Sequence, residues 1–124
     1  MDKKSAPPAL SFIALRTFKA DRLLAFYRAL GLAFKEEKHG NGPVHHACDL
    51  GGAVLEIYPR YPGEADGLQD GIIVGLTVGS VEDALAALAT AGFGGPPVPP
   101  AGAGRLLTAN LRDPDGRKVI LRVR

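Results

Sequence analysis

The sequence predicts an α+β fold built from two tandem βαβββ modules. Apolar residues recur with strand-like and helix-like periodicity in turn, and stretches rich in glycine and proline separate these segments. The second half of the chain also repeats the first at an offset of 61 residues, the separation of Gly31 from Gly92. The pairs related by this offset are Phe12 and Ile73, Leu15 and Leu76, Leu24 and Leu85, and Gly31 and Gly92.

The hairpin that closes each half repeats at a slightly larger offset, the 64 residues that separate Gly52 from Gly116. Asp49 and Asp113 are related by the same offset. The additional residues fall in the glycine- and proline-rich stretch 94–104, where an insertion costs little free energy. One duplicated unit therefore accounts for the whole chain.

The periodicity of each segment predicts its individual element. Leu23, Phe26 and Leu30 are spaced to share one face of a first helix, and Gly31 and Gly92 end the two helices. The predicted elements are strands at 9–16, 33–38, 44–50, 53–58, 72–78, 106–112 and 117–123 and helices at 20–30 and 81–91. The pattern leaves open whether a further strand lies near 96–100.

The chain is interpreted as a single domain spanning residues 1–124. Module 1 covers about 9–58, a turn-rich connector covers 59–71, and module 2 covers about 72–124. Residues 1–8 form a polar start to the domain.

The composition excludes several classes of protein. A hydrophobic fraction of 46% and a charged fraction of 23% are ordinary for a globular protein with one modest core. The net charge is +2 and the basic residues are scattered, so we expect no nucleic-acid partner. No apolar run approaches the roughly 18 residues of a membrane span. A single cysteine, Cys48, excludes an internal disulfide and favours a cytoplasmic location.

Strand alternation places one group of polar side chains on a common face. In the hairpin around Gly51 and Gly52, we expect the more apolar residues to face the helices and leave His45, Glu56 and Tyr58 on the other face. A two-residue turn would place His45 opposite Tyr58, and a four-residue turn would place it opposite Glu56. Both of these registers bring the imidazole within cross-strand or diagonal reach of the carboxylate, whereas a three-residue loop would shift the pairing.

This polar cluster offers several kinds of chemistry. A carboxylate beside an imidazole fixes its tautomer, as a general base or a ligand-orienting pair requires, so His45 and Glu56 are the candidate catalytic residues. The Tyr58 hydroxyl can donate a hydrogen bond to a ligand oxygen. Arg122 occupies the place of Tyr58 in the second module and can hold an anionic ligand group, with Arg16 as a second candidate. The alternative is that these polar groups only satisfy one another.

The same segments carry a family resemblance over nearly the whole chain. They are Leu10–Leu15, Leu24–Tyr27 with Leu30–Leu32, Asp49–Tyr58, Val81–Gly92 and Asp113–Leu121. In order and spacing they resemble the glyoxalase / bleomycin-resistance / extradiol-dioxygenase superfamily, also called vicinal oxygen chelate. The resemblance implies mixed sheets curled into a U-shaped trough around a ligand cavity, with the helices outside. Some members hold a divalent metal in the trough, and some exchange modules between the chains of a dimer.

The metal ligands of that family map onto Phe12, Glu56, Ile73 and Ile120, and only Glu56 can bind a cation. A single carboxylate cannot hold a divalent ion, which normally needs about three protein ligands. We therefore expect no metal and no other cofactor at these positions. Phe12, Ile73 and Ile120 are instead predicted to form an apolar floor for a ligand.

Three functions stay open on the sequence. The first is metal-free binding of a small, partly apolar molecule by Phe12, Ile73, Ile120, His45, Glu56, Tyr58 and Arg122. The second is an enzyme of lyase, isomerase or dioxygenase type, which uses His45 and Glu56 either around a non-standard metal or as acid and base. The third is a non-catalytic interaction module. Because half-modules this short leave apolar sheet surface and strand edges exposed, we also expect a homodimer.

Overall fold

The computed structural model describes residues 7–61, 63, 71–100 and 103–123 of the 124-residue chain. Module 1 contains β1 (Phe12–Thr17), α1 (Ala20–Ala29), β2 (Lys35–Glu37), β3 (His45–Asp49) and β4 (Val54–Pro59). Module 2 contains β5 (Ile73–Val78), α2 (Val81–Thr90), β6 (Thr108–Arg112) and β7 (Lys118–Val123). Each of these elements lies where the sequence predicts it, with ends that differ by a few residues.

The strands form two open sheets, in the order β1–β4–β3–β2 and β5–β7–β6. In each sheet the first strand of the module pairs in parallel with the last, and the other neighbours are antiparallel. Phe12 lies opposite Val54 in the first parallel pair, and the positions that repeat them, Ile73 and Lys118, lie opposite each other in the second. The α+β fold class and the duplication are thus confirmed down to the strand register.

The helices cover one face of each sheet and form a shared core with it. Leu15 and Ile57 of the first sheet and Val119 and Leu121 of the second are at most 1% exposed. The helices contribute buried residues that include Leu23, Leu24, Phe26, Tyr27, Leu85 and Leu88. Burying each large aliphatic or aromatic side chain contributes roughly 1.5–3 kcal/mol, so this core is the main source of stability.

Both helices end as the glycine positions predict. Gly31 and Gly92 have φ angles of +101° and +87°, a region that glycine enters without steric cost. At the other end of α2, the Ser80 hydroxyl accepts a hydrogen bond of 3.1 Å from the Asp83 amide, which satisfies one of the free amides of the first turn. Among the described residues, no helix is long and apolar enough to cross a membrane.

The second module differs from the predicted βαβββ pattern in its described residues. Residues 96–100 form no strand, so the second sheet has three strands where the first has four. The segment reads Pro-Pro-Val-Pro-Pro, and prolines have no amide hydrogen to donate to a neighbouring strand. Most of the predicted connector, together with residues 1–6, lies outside the described residues.

Candidate functional site

Each sheet has one face that does not pack on the helices, and we call it the uncovered face. Strand alternation and register assign its members in both sheets. In the first sheet they are Phe12, Ala14, Arg16, Lys35, Glu37, His45, Ala47, Asp49, Val54, Glu56 and Tyr58. In the second sheet they are Ile73, Gly75, Thr77, Thr108, Asn110, Arg112, Lys118, Ile120 and Arg122.

The turn between β3 and β4 decides between the two predicted registers. The Leu50 amide donates a hydrogen bond of 2.9 Å to the Ala53 carbonyl, which closes a two-residue turn. Its central residues, Gly51 and Gly52, both have positive φ angles, as tight hairpin turns require. His46 pairs with Ile57 in this register, so the next residue, His45, lies opposite Tyr58 on the uncovered face.

The polar residues of the uncovered face lie in two rows that cross all four strands of the first sheet. One row runs from Glu37 on β2 through His45 and Tyr58 to Arg16 on β1. The adjacent row is Lys35, Ala47, Glu56 and Ala14 in the same strand order. Glu56 therefore has the small side chains of Ala14 and Ala47 as its neighbours within the row.

His45 is the centre of the polar cluster and is only 1% exposed. Its Nε2 atom lies 3.3 Å from Oε1 of Glu37 and 3.4 Å from Oε2 of Glu56. Its Nδ1 atom lies 3.2 Å from the Pro43 carbonyl oxygen, which can only accept, so Nδ1 carries a proton. The imidazole also stacks on the Tyr58 ring, with centroids 4.2 Å apart and an interplanar angle of 8°.

Tyr58 borders both carboxylates of the cluster. Burial, then the negative charges of Glu56 and Glu37, raise the pKa of the Tyr58 phenol. The phenol therefore keeps its proton to a higher pH than an ordinary tyrosine, and its O–H can donate a hydrogen bond. The cluster thus combines a hydrogen-bond donor, an oriented imidazole and two carboxylates.

Two members of this cluster, Glu37 and His39, were not predicted from the sequence as site residues. The side chain of His39 is 73% exposed, and its Nε2 atom lies 3.6 Å from Oε1 of Glu37. Glu37 lies directly opposite His45 across the β2–β3 pair. The available signal was the alternation along 35–37. This alternation does not show which residue lies opposite His45 until the strand register across the turn at 40–42 is known.

Phe12, Ile73 and Ile120 place apolar side chains on the uncovered face. Phe12 is 56% exposed and Ile73 is 58% exposed, whereas Ile120 is half-buried opposite Gly75 and Asn110. None of the three side chains has an atom that can bind a cation, so these positions together with Glu56 do not fit a metal ion.

One of these residues, Ile73, lines an apolar cavity of about 180 Å³ between the β1–β4 pair and β5. Its lining residues come from both modules and include Leu10, Ile13, Leu50, Val54, Ile72 and Ile73. Pockets that bury a drug-sized ligand are usually about 300–1,000 Å³, so this cavity matches only part of such a molecule.

The remaining candidate residues lie at the margins of the cluster. Arg122 is exposed and lies between Thr77 and Thr108, in the second sheet. Arg16 ends the row that contains His45, and its guanidinium carbon lies 4.7 Å from the centroid of the Tyr61 ring. His46 and Cys48 point to the opposite face, and Cys48 is buried there with its thiol free.

Solved structures of low sequence identity share this fold. An antibiotic-binding protein from Streptomyces sp. CB03234, TnmS3, is 17% identical with a TM-score of 0.65, and the match covers 95% of this chain and 97% of that one. The trypanothione-dependent glyoxalase I of Leishmania major is 17% identical with a TM-score of 0.66, over 94% and 87% of the two chains. A glyoxalase/bleomycin resistance protein from Albidiferax ferrireducens T118 is 20% identical with a TM-score of 0.60, over 93% and 98%.

At these identities the structural matches establish the fold and leave the activity open. No curated protein sequence matches the chain. A family model does match it, over residues 9–121, which include both modules and every candidate residue except Arg122. The chain therefore belongs to the Glyoxalase/Bleomycin resistance protein/Dioxygenase superfamily.

Proposed function

We propose that this protein binds a small, partly apolar organic molecule on the uncovered face, without a metal ion at the positions the family uses. One observation carries the proposal. Exposed apolar side chains, Phe12 and Ile73, stand at two of the family's metal positions, and Ile73 lines an apolar cavity. The polar cluster of His45, Glu56 and Tyr58 lies on the same face, so it can orient one polar group of a ligand.

The comparisons support this proposal at the level of the fold. The Streptomyces protein that shares this fold is an antibiotic-binding protein, so a scaffold of this kind can hold an organic molecule. In this chain the buried and unpaired Cys48 also favours a reducing location, and we propose the cytoplasm.

The test blocks the uncovered face with one bulky side chain. Ala47 lies between Lys35 and Glu56 in its row, so Ala47→Trp places an indole over the polar cluster. With anilinonaphthalene sulfonate as the probe, we expect its fluorescence titration to show binding at least about tenfold weaker than for the wild type, a loss of about 1.4 kcal/mol.

The matched control is Ala86→Trp, which adds the same indole to an exposed position of α2. This variant should bind the dye as the wild type does. Equal binding by the wild type and folded Ala47→Trp would refute the proposed location. A folded wild type that binds neither this dye nor other aromatic anions would favour the interaction-module alternative.

An enzymatic function is the second candidate, and the 3.4 Å approach of His45 to Glu56 favours it. A carboxylate that adjoins a buried imidazole can take a proton from a bound ligand. The variant Glu56→Gln keeps the shape of the side chain but removes its basicity. An enzyme of this type would retain ligand binding in Glu56→Gln while losing turnover, whereas a pure binding protein has no turnover to lose.

A further inference from the structure

The cluster around His45 contains one polar atom that the rest of the fold leaves unsatisfied. Nε2 of His45 is buried and has no hydrogen-bond partner among the described residues. The nearest carboxylate oxygens, from Glu37 and Glu56, lie at 3.3 and 3.4 Å, but neither is placed to accept a hydrogen bond from it. A buried polar atom without a partner costs about 1–3 kcal/mol, so a missing partner is implied.

The hydrogen bond of the other ring nitrogen, Nδ1, indicates what kind of partner Nε2 can take. Because Nδ1 carries the proton that faces the Pro43 carbonyl, Nε2 of the neutral ring presents its lone pair. This lone pair points into a space bordered by two carboxylates, where a bound cation would offset their mutual repulsion. A histidine that donates its outer N–H to a backbone carbonyl is also the usual form of a metal-ligating histidine.

The spacing of the surrounding atoms fits a metal ion. The potential ligand atoms of Glu37, His39 and His45 all lie within 4.8 Å of one another. Bonds of about 2.0–2.2 Å in a tetrahedral site separate the ligand atoms by about 3.3–3.5 Å. Oε1 of Glu37 lies 3.3 Å from Nε2 of His45 and 3.6 Å from Nε2 of His39, close to this value.

We propose that Glu37, His39 and His45 bind a divalent transition-metal ion, with Glu56 beside an open fourth coordination position. Two imidazoles and one carboxylate suit zinc and its first-row neighbours better than magnesium or calcium, which prefer oxygen ligands. Three protein ligands with one open position are also the composition of zinc sites that bind water or substrate.

This site differs from the one that the family resemblance implies. Of the family's four ligand positions, only Glu56 lies beside this site. The ligands Glu37 and His39 belong to β2 and the turn that follows it. The proposed ligand binding does not require the metal, so the two proposals can be tested separately.

The test is a calorimetric titration of zinc into the untagged, chelator-treated full chain. We expect one zinc ion to bind per chain. The variants His39→Gln and Glu37→Gln should each weaken binding by at least about 100-fold, since even the loss of an outer partner costs 10- to 100-fold. The side chain of His39 is 73% exposed, so its substitution leaves the core intact.

The control is His46→Gln, which removes a histidine adjacent in sequence but on the opposite face of β3. This variant should bind zinc as the wild type does. A second readout is the melting temperature, which zinc should raise in the wild type and in His46→Gln but not in the ligand variants. Absence of stoichiometric binding, or binding that survives His39→Gln and Glu37→Gln, would overturn the proposal.

Discussion

At the scale of single residues, the fold contains a second buried polar cluster. Its described polar side-chain atoms bind other protein groups, with the exception of one nitrogen. The Tyr27 hydroxyl donates a hydrogen bond of 2.8 Å to Oδ2 of Asp113, which also lies 3.2 Å from Nη1 of Arg117. Arg117 further donates to Asp115 and to the Arg16 carbonyl, whereas its buried Nε has no hydrogen-bond partner among the described residues. Because these groups bind one another, the cluster stabilises the link between α1 and the β6–β7 turn.

This buried cluster predicts a specific effect of pH on stability. Burial, then the Asp113 carboxylate, raise the pKa of Tyr27 above its ordinary value of about 10. The folded protein thus keeps the phenol neutral while the unfolded chain ionises it as the pH rises above about 10. From that pH upward, the free energy of unfolding should fall by about 1.4 kcal/mol per pH unit through this group alone.

The variant Tyr27→Phe isolates that effect. It should be less stable at neutral pH by about 1.5–3 kcal/mol, the usual contribution of a hydrogen bond to a charged group. Urea unfolding of both proteins between pH 8 and 11 measures the comparison. The difference in stability should shrink above about pH 10, because only the wild type loses the contribution of Tyr27. A difference that stays constant over this range would show that the phenol is not held neutral by the fold.

At the scale of secondary structure, the sequence predicts the elements well because each has a strong local signal. Period-two alternation marks β4 and β7, and glycines with positive φ angles mark the ends of both helices. The two-residue turn at Gly51 and Gly52 was one of several turn lengths left open, and the strand pairing, such as that of Asp49 with Val54, decides between them.

Features that depend on contacts between distant segments could not be predicted in this way. Glu37 joins the His45 cluster through the β2–β3 pairing, and no local pattern fixes the register across the intervening turn. Arg117 opens the strand predicted at 117–123, and no local pattern indicates that it is 1% exposed with Asp113, Asp115 and the Arg16 carbonyl as its partners. Strand alternation could therefore indicate which residues share the uncovered face. It could not indicate which residues complete the polar clusters around His45 and Arg117.

At the scale of the whole molecule, apolar residues remain exposed along the edges of both sheets. The edge strands β1 and β5 carry Phe12 and Ile73, each more than half exposed, and Leu10 just before β1 is 61% exposed. Exposed apolar edge strands favour association, and a second copy of the chain would cover them. The cavity of about 180 Å³ beside these residues would then become part of a larger, shared pocket.

This exposure predicts a homodimer that depends on the β5 edge. Sedimentation equilibrium should give a mass twice that of one chain, and Ile73→Lys should shift it toward the monomer because the charge would have to be buried. The matched control is Leu107→Lys, which replaces an equally exposed residue beside β6, on the other side of the second sheet. A wild type that sediments as a monomer, or equal dissociation of both variants, would contradict the prediction.

Binding of an organic ligand on the uncovered face can be located by an amide chemical-shift map. The measurement compares NMR spectra of ¹⁵N-labelled protein with and without anilinonaphthalene sulfonate. We predict that the largest shifts lie in β1, β3, β4 and β5, with His45, Ala47, Glu56 and Ile73 among them. Shifts confined to the outer surfaces of α1 and α2, or an unchanged spectrum at saturating dye, would contradict the account.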